Sequence, residues 1–228
     1  MNIRLVGARR CAFALDELSR HDERSDASGQ SSSIAALLTP DSSLQLRLTD
    51  VEEGDLHMDE LPILDAYWVK PGQIIAGEYP GSDDTEFAQA MLRSLLEAGV
   101  SVFFDLTSKG ELEPYQNALA KEAERFGSVP EYQKWPIRDM SANTVKKMTE
   151  LLDAIDESVD AGKTVYLHCA AGLGRTGVVV GCYLVRHGMS GEEALEAIPR
   201  MRRRDIPGHT MVSPETQAQR NMIREWGQ

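Results

Sequence analysis

Residues 164–177 read TVYLHCAAGLGRTG, a run in which Cys169, Gly172, Gly174, Arg175 and Thr176 are spaced as an anion-binding catalytic loop would need them. An apolar, strand-like segment ends at His168 and Cys169, and a Gly-rich loop then leads to Arg175 at the expected start of a helix. Gly172 and Gly174 tolerate positive backbone dihedrals. Successive N–H groups of Ala170, Ala171, Gly172, Leu173, Gly174 and Arg175 can therefore point into one concavity, adding to the positive end of the helix dipole. Such a concavity suits a tetrahedral dianion, and Arg175 adds a planar fork for two phosphate oxygens that tightens as a phosphoryl group is transferred. The run is not a nucleotide P-loop, because it lacks the Gly-Lys-Ser/Thr ending.

Cys169 sits at the floor of this cradle. A free thiol with a pKa of about 8.5 is only slightly ionised at neutral pH, whereas a helix N-terminus and a nearby Arg lower such values to roughly 3.5–7.5. A shift of about three units is worth about 4 kcal/mol of thiolate stabilisation. The expected chemistry is in-line attack of that sulfur on phosphorus, giving a phosphocysteine that water later hydrolyses. Thr176 is placed to donate its hydroxyl to the sulfur as leaving group. The scheme calls for no metal and no cofactor, and five His and three Cys without paired ligand spacing predict no zinc site. The bland alternative for Cys169 is a buried thiol beside a tight turn, which explains none of the adjoining Gly-x-Gly-Arg-Thr pattern.

These residues need a frame to hold them. From residue 65 onward, strand-like runs at 67–69, 73–76, 100–106 and 164–167 alternate with helical patterns near 83–98, 114–126, 144–159, 175–187, 191–203 and 214–226, with a short run into 135–137. On the helix at 144–159, Val145, Met148, Leu152, Ile155 and Val159 share one face. The alternation predicts an α/β fold: a mainly parallel central sheet flanked by helices on both faces. Residues 1–60 read as an N-terminal extension, partly flexible through the Ser-rich stretch 19–33, with a strand-like alternation at Leu44, Leu46 and Leu48; the domain proper is 61–228.

The whole chain has 228 residues and a net charge of −12, which argues against a general nucleic-acid binder. Its three Cys, at positions 11, 169 and 182, are too few and too scattered for a disulfide framework, so a reducing, cytoplasmic location is expected. Cys182 reads as core. No run approaches the roughly 18 apolar residues of a membrane helix, and charges at Arg4, Arg9, Arg10, Asp16 and Glu17 spoil a signal-peptide core.

HCAAGLGRTG matches the Cys-x5-Arg-Ser/Thr signature and so resembles the protein tyrosine phosphatase superfamily. WVKPGQIIAGEYPG (68–81), DLTSKGELEPY (105–115) and SPETQAQRNMIREW (213–226) are similar to its compact, dual-specificity-like branch, so the resemblance spans roughly 65–226. It implies a general acid on a separate loop, and Asp139 in KWPIRDMSAN fits that place; a surface or capping Asp is the alternative, and Asp105 is the reserve candidate, read first as a turn or hydrogen-bonding residue. The Trp135-Pro136 pair does not supply the acid, because Ile137 follows it where the larger tyrosine-specific enzymes have Asp. The resemblance also implies that Gln219 orients the hydrolytic water, against a solvent-facing helix residue as the alternative. His168 is expected to hydrogen-bond the loop backbone, or simply to be satisfied at the strand end.

The expected substrate is a phosphorylated protein: phosphotyrosine, with phosphoserine and phosphothreonine as further candidates. The same chemistry on phosphoinositides, inositol phosphates or nucleic-acid ends is the alternative, as is a phosphate-binding module without turnover. Ala170, Ala171 and Leu173 stand where many phosphoinositide enzymes of the superfamily carry Lys, which weighs against an inositol lipid. Arg200, Arg202, Arg203 and Arg204 either face water at a helix end or border the active-site mouth.

Overall fold

Consecutive apolar residues at 74–76, 102–104 and 165–167 leave these runs without a polar side, as strands covered on both faces require. The computed structural model describes residues 65–202 and 212–227, so the extension 1–60, the alternation at residues 44–48, and Arg203 and Arg204 lie outside the described residues. Among the described residues, β1 (Tyr67–Lys70), β2 (Ile74–Gly77), β3 (Val100–Asp105), β4 (Glu131–Lys134) and β5 (Thr164–His168) form one sheet in the order β1-β2-β5-β3-β4. The β1–β2 pair is antiparallel and the other three pairings are parallel. The helices are α1 (Thr85–Glu97), α2 (Gln116–Arg125), α3 (Val145–Asp160), α4 (Gly174–Arg186), α5 (Gly191–Met201) and α6 (Gln217–Glu225).

Period-two alternation divides the sheet residues between two cores. Ile75, Phe103 and Tyr166 pack with Leu92 and Leu95 of α1 and with Leu119 and Ala123 of α2. Ala76, Val102, Phe104, Val165 and Leu167 point the other way, onto Met148, Leu152 and Ile155 of α3, Val178 to Val180 of α4, Ile198 of α5 and Ile223 of α6. Side-chain caps start four helices: Asp84 for α1, Thr144 for α3, and the reciprocal capping boxes Ser190–Glu193 for α5 and Thr216–Gln219 for α6. By contrast, α4 begins at Leu173 with no cap from its own loop.

Two expectations need correction. The regular strand expected near 135–137 lies earlier, at β4; beyond Lys134 the Trp135 and Ile137 N–H groups still donate to the Asp105 and Leu106 carbonyls, with Pro136 at the position between them that donates nothing. Val145 does not join the apolar face of α3; as the first residue of that helix it is 65% exposed, and Leu151 is buried instead.

α5 and α6 meet backbone to backbone at Gly191. A Cβ at Gly191 would lie 2.5 Å from Arg224 Cα and 2.9 Å from the Ile223 carbonyl oxygen. Gly191→Ala is expected to force α5 and α6 apart and cost about 1–3 kcal/mol. That corresponds to a Tm lower by about 2–4 °C for each kcal/mol. A calorimetric scan showing an unchanged Tm would refute this packing.

Candidate active site

β5 is the central strand, with β2 and β3 parallel on either side, so its carboxyl end opens where parallel sheets receive ligands. Cys169 follows β5 directly and is only 3% exposed, and the chain then turns through residues 170–173 into α4. The carbonyls of that turn are tied from outside. The Cys169 carbonyl lies 3.3 Å from His168 Nδ1, and the Ala170 carbonyl accepts the Tyr79 N–H at 3.0 Å. Arg202 Nη1 donates to the Gly172 carbonyl at 2.6 Å, and the Leu173 carbonyl accepts the Ser213 hydroxyl at 2.8 Å. In a trans peptide the C=O and the next N–H point in opposite directions. Carbonyls held outward therefore turn the N–H groups of Ala170, Ala171, Leu173 and Gly174 toward the concave side, the arrangement of an anion nest.

Gly172 is indispensable to this turn for two reasons. Its φ is +67°, and a Cβ there would lie 2.5 Å from the Gly77 carbonyl carbon and 2.9 Å from Glu78 N. The loop is thus pressed against the end of β2.

Arg175, 3% exposed, turns its fork into a bidentate pair with Glu111: Nη1 to Oε2 at 2.8 Å and Nη2 to Oε1 at 2.6 Å. Glu111 is itself held by the Ser108 N–H at 2.8 Å. Burial would raise its pKa, yet the Arg175 and Ser108 hydrogen bonds and the charges of Arg175 and Lys134 bring it below the ordinary range. Asp139, half exposed, places Oδ1 3.2 Å from Arg175 Nη2. It lies on a tight loop in which Met140 and Asn143 take positive φ, of 60° and 70°. Asp139 is thus the exposed carboxyl at the signature arginine, whereas the reserve candidate Asp105 is buried and spent. Asp105 accepts from Thr107 N and Oγ1, from Tyr132 and from Lys134 at 2.6–2.8 Å. Burial alone would raise its pKa, but His168 and these donors lower it.

Gln219 is fully buried, which corrects the solvent-facing alternative. Its Oε1 accepts the Thr216 N–H in the capping box, and its Nε2 donates to the Ser141 carbonyl at 3.1 Å, joining α6 to the Asp139 loop. Glu215 lies against the start of α4, where a Cβ on Gly174 would be 2.2 Å from its Oε2. Its pKa is raised, first by desolvation and then by the charge of Asp139. Thr176 is buried with its hydroxyl unpartnered, so it makes no hydrogen bond to the sulfur in this state. Arg202 is half-buried against the loop, which corrects the reading of that cluster as wholly water-facing; Arg200 does face water, pairing with Glu196. Cys182 is buried in α4, where desolvation pushes its thiol up to about 12. Among the described residues no group of three or more His, Cys, Asp or Glu is arranged to hold a metal ion.

Glu111, Glu215 and Ser213 are the site residues that the sequence reading did not single out. Glu111 and Glu113 are equivalent in the string GELEP, and only the fold shows which one meets Arg175.

Residues 78–189 match the family model of a DSP-PTPase phosphatase of polymorphic toxin systems. The chain is 32% identical over 96 residues to an Arabidopsis thaliana phosphatidylinositol 3,4,5-trisphosphate 3-phosphatase and protein-tyrosine-phosphatase, covering 41% of this chain and 22% of that protein. It is 30% identical over 92 residues to the Bos taurus protein tyrosine phosphatase type IVA 3, covering 40% and 53%. The chain thus spans less than two thirds of either relative. Among solved structures, Tk-PTP in its active form superposes with a TM-score of 0.56 at 26% identity, covering 71% of this chain and 95% of that one.

His168 has a consequence for stability. It is fully buried between the Tyr115 hydroxyl, 2.8 Å from Nε2, and the Cys169 carbonyl, so Nδ1 carries the donated hydrogen and Nε2 accepts. Burial pushes its pKa down from 6.5 to about 4. Between these values the unfolded chain takes up a proton that the folded state refuses. Stability present above pH 6.5 should therefore fall as pH drops toward 4, by about 3 kcal/mol for this group. Urea unfolding of wild type and His168→Gln should show the wild type losing more stability across that window. Parallel pH dependences would contradict a neutral, buried His168.

Proposed function

Because this chain belongs to the protein tyrosine phosphatase superfamily, in its dual-specificity-like branch, we propose that it is a cysteine-dependent phosphomonoesterase acting on phosphotyrosine in proteins. The observation that carries the proposal is the placement of Cys169 beneath a loop whose carbonyls are tied outward, with Arg175 at its end. In the first step Cys169 Sγ, as thiolate, bonds to phosphorus while the bond to the leaving oxygen breaks. Asp139 gives its proton to that oxygen. In the second step Asp139 takes a proton from water as the water oxygen bonds to phosphorus. The sulfur leaves as thiolate, the Thr176 hydroxyl being free to turn toward it, and inorganic phosphate departs. The inward N–H groups and Arg175 stabilise the charge on the three equatorial oxygens in both steps. Gln219 serves the acid loop through Ser141, and through it the position of the attacking water.

Apolar lining favours an aryl ester. Ala170, Ala171 and Leu173 put no cation on the loop, while exposed Leu112 and Met140 adjoin Glu111 and Asp139. The net charge of −12 speaks against a nucleic-acid substrate. Among the described residues no helix is long and apolar enough to cross a membrane. We place the protein in the cytoplasm, where a nucleophilic thiol stays reduced, and take residues 61–228 as the catalytic domain.

Hydrolysis of an aryl phosphate should resist chelator and be inhibited by vanadate. Cys169→Ser should lower turnover roughly 10⁴-fold or more while retaining phosphate binding. Asp139→Ala should slow substrates with poor leaving groups about 10²–10⁴-fold and good leaving groups far less. Normal turnover by Cys169→Ser would remove the nucleophile, and an Asp139→Ala loss independent of leaving group would move the acid elsewhere. On a panel of phosphopeptides and phosphoinositides, kcat/KM should be highest for phosphotyrosine; a phosphoinositide at the top would replace the proposed substrate.

A further inference from the structure

Arg202 ends α5 at a position where a cation facing water would already complement the helix dipole, yet it turns inward. Its guanidinium lies 5.2 Å from the centre of the Tyr67 ring on β1, and its Nη1 reaches the Gly172 carbonyl at 2.6 Å across thirty residues of sequence. The charged group opposing it is Glu78 at the end of β2, whose carboxyl is pushed up to about 7 by desolvation and by Asp65, with Arg202 acting against that rise. The Tyr67 ring packs against the guanidinium while its Nη1 grips the Gly172 carbonyl, so that carbonyl is held in place.

Gly172 is the residue of the loop with the left-handed backbone, and the peptide after it has the freest choice of orientation. If the Gly172 carbonyl turned into the concavity, it would present a negative dipole to the phosphate and withdraw the Leu173 N–H. We propose that Arg202 is a positioning residue of the phosphate cradle: by holding the Gly172 carbonyl outside the loop, it aims the Leu173 N–H at the phosphate of the substrate. The inference rests on reading the loop as an oxyanion site, but not on turnover.

Equilibrium binding of tungstate to the full chain tests it, alongside aryl phosphate kinetics and thermal melting. Arg202→Met is expected to weaken tungstate about tenfold and lower kcat/KM at least as much, the effect of losing one well-aimed donor. Arg202→Lys, which keeps one donor for the same carbonyl, is expected to weaken tungstate only about threefold. Wild-type affinity in Arg202→Met, or equal losses in the two variants, overturns the proposal. Should Arg202→Met fail to fold, Arg202→Lys decides alone: a loss of about threefold upholds it, and either wild-type affinity or a tenfold loss overturns it. A wild type that binds tungstate but hydrolyses no phosphomonoester contradicts the proposed activity and leaves this test standing.

Discussion

A peptide group cannot turn its N–H one way without sending the preceding C=O the other way, and the site is built on that constraint. A short turn between a strand and a helix can surround a dianion with amides only if its carbonyls find partners elsewhere. Here the partners come from four directions: His168 on β5, Tyr79 after β2, Ser213 before α6 and Arg202 after α5. Each is fixed by packing of its own. Tyr115 and burial hold His168 neutral, while the close approach of Gly172 to Gly77 sets the distance to β2. The fold thus contributes to the chemistry less by presenting side chains than by occupying the wrong side of the loop.

Charge at the site is divided unevenly. Arg175 is paired with both Glu111 and Asp139, so the carboxylates outnumber the guanidinium, and what remains to attract a phosphate is the nest of N–H groups together with the start of α4. Glu111 fixes the fork of Arg175 and orients it, as a bidentate partner does. Glu215 lies beside Gly174 at the start of α4, which has no side-chain cap. Asp139 is half exposed, and its loop is joined to α6 through Ser141 and Gln219, which suits the proton transfers proposed for it.

Legibility in the sequence followed locality. Cys169, Gly172, Arg175 and Thr176 are contiguous, and the run of apolar residues before them already placed the loop after a buried strand. The alternation of strands and helices likewise gave the sheet and its two covering layers, because Ile75, Phe103 and Tyr166 alternate in sequence with Ala76, Phe104 and Leu167. Residues that act across the chain were not legible. Glu111 and Arg175 are 64 residues apart, Ser213 and Leu173 are 40 apart, and nothing in the local pattern at either end records the meeting. Edge features misled for a physical reason: Trp135 to Ile137 is the apolar part, but the regular ladder of β4 runs through Glu131 to Lys134, which are largely polar because they lie at the sheet edge. Gln219 was singled out only through the family resemblance, because its burial arises from contact with the Asp139 loop, which the local pattern of α6 does not encode.

The most direct measurement of the central claim is a crystal structure with vanadate bound. The account predicts vanadium bonded to Cys169 Sγ, with its oxygens about 2.7–3.1 Å from backbone nitrogens of residues 170–175, Arg175 reaching two of them and the Gly172 and Leu173 carbonyls still outside. Vanadate seated away from Cys169, or a loop carbonyl facing the oxyanion, would contradict it.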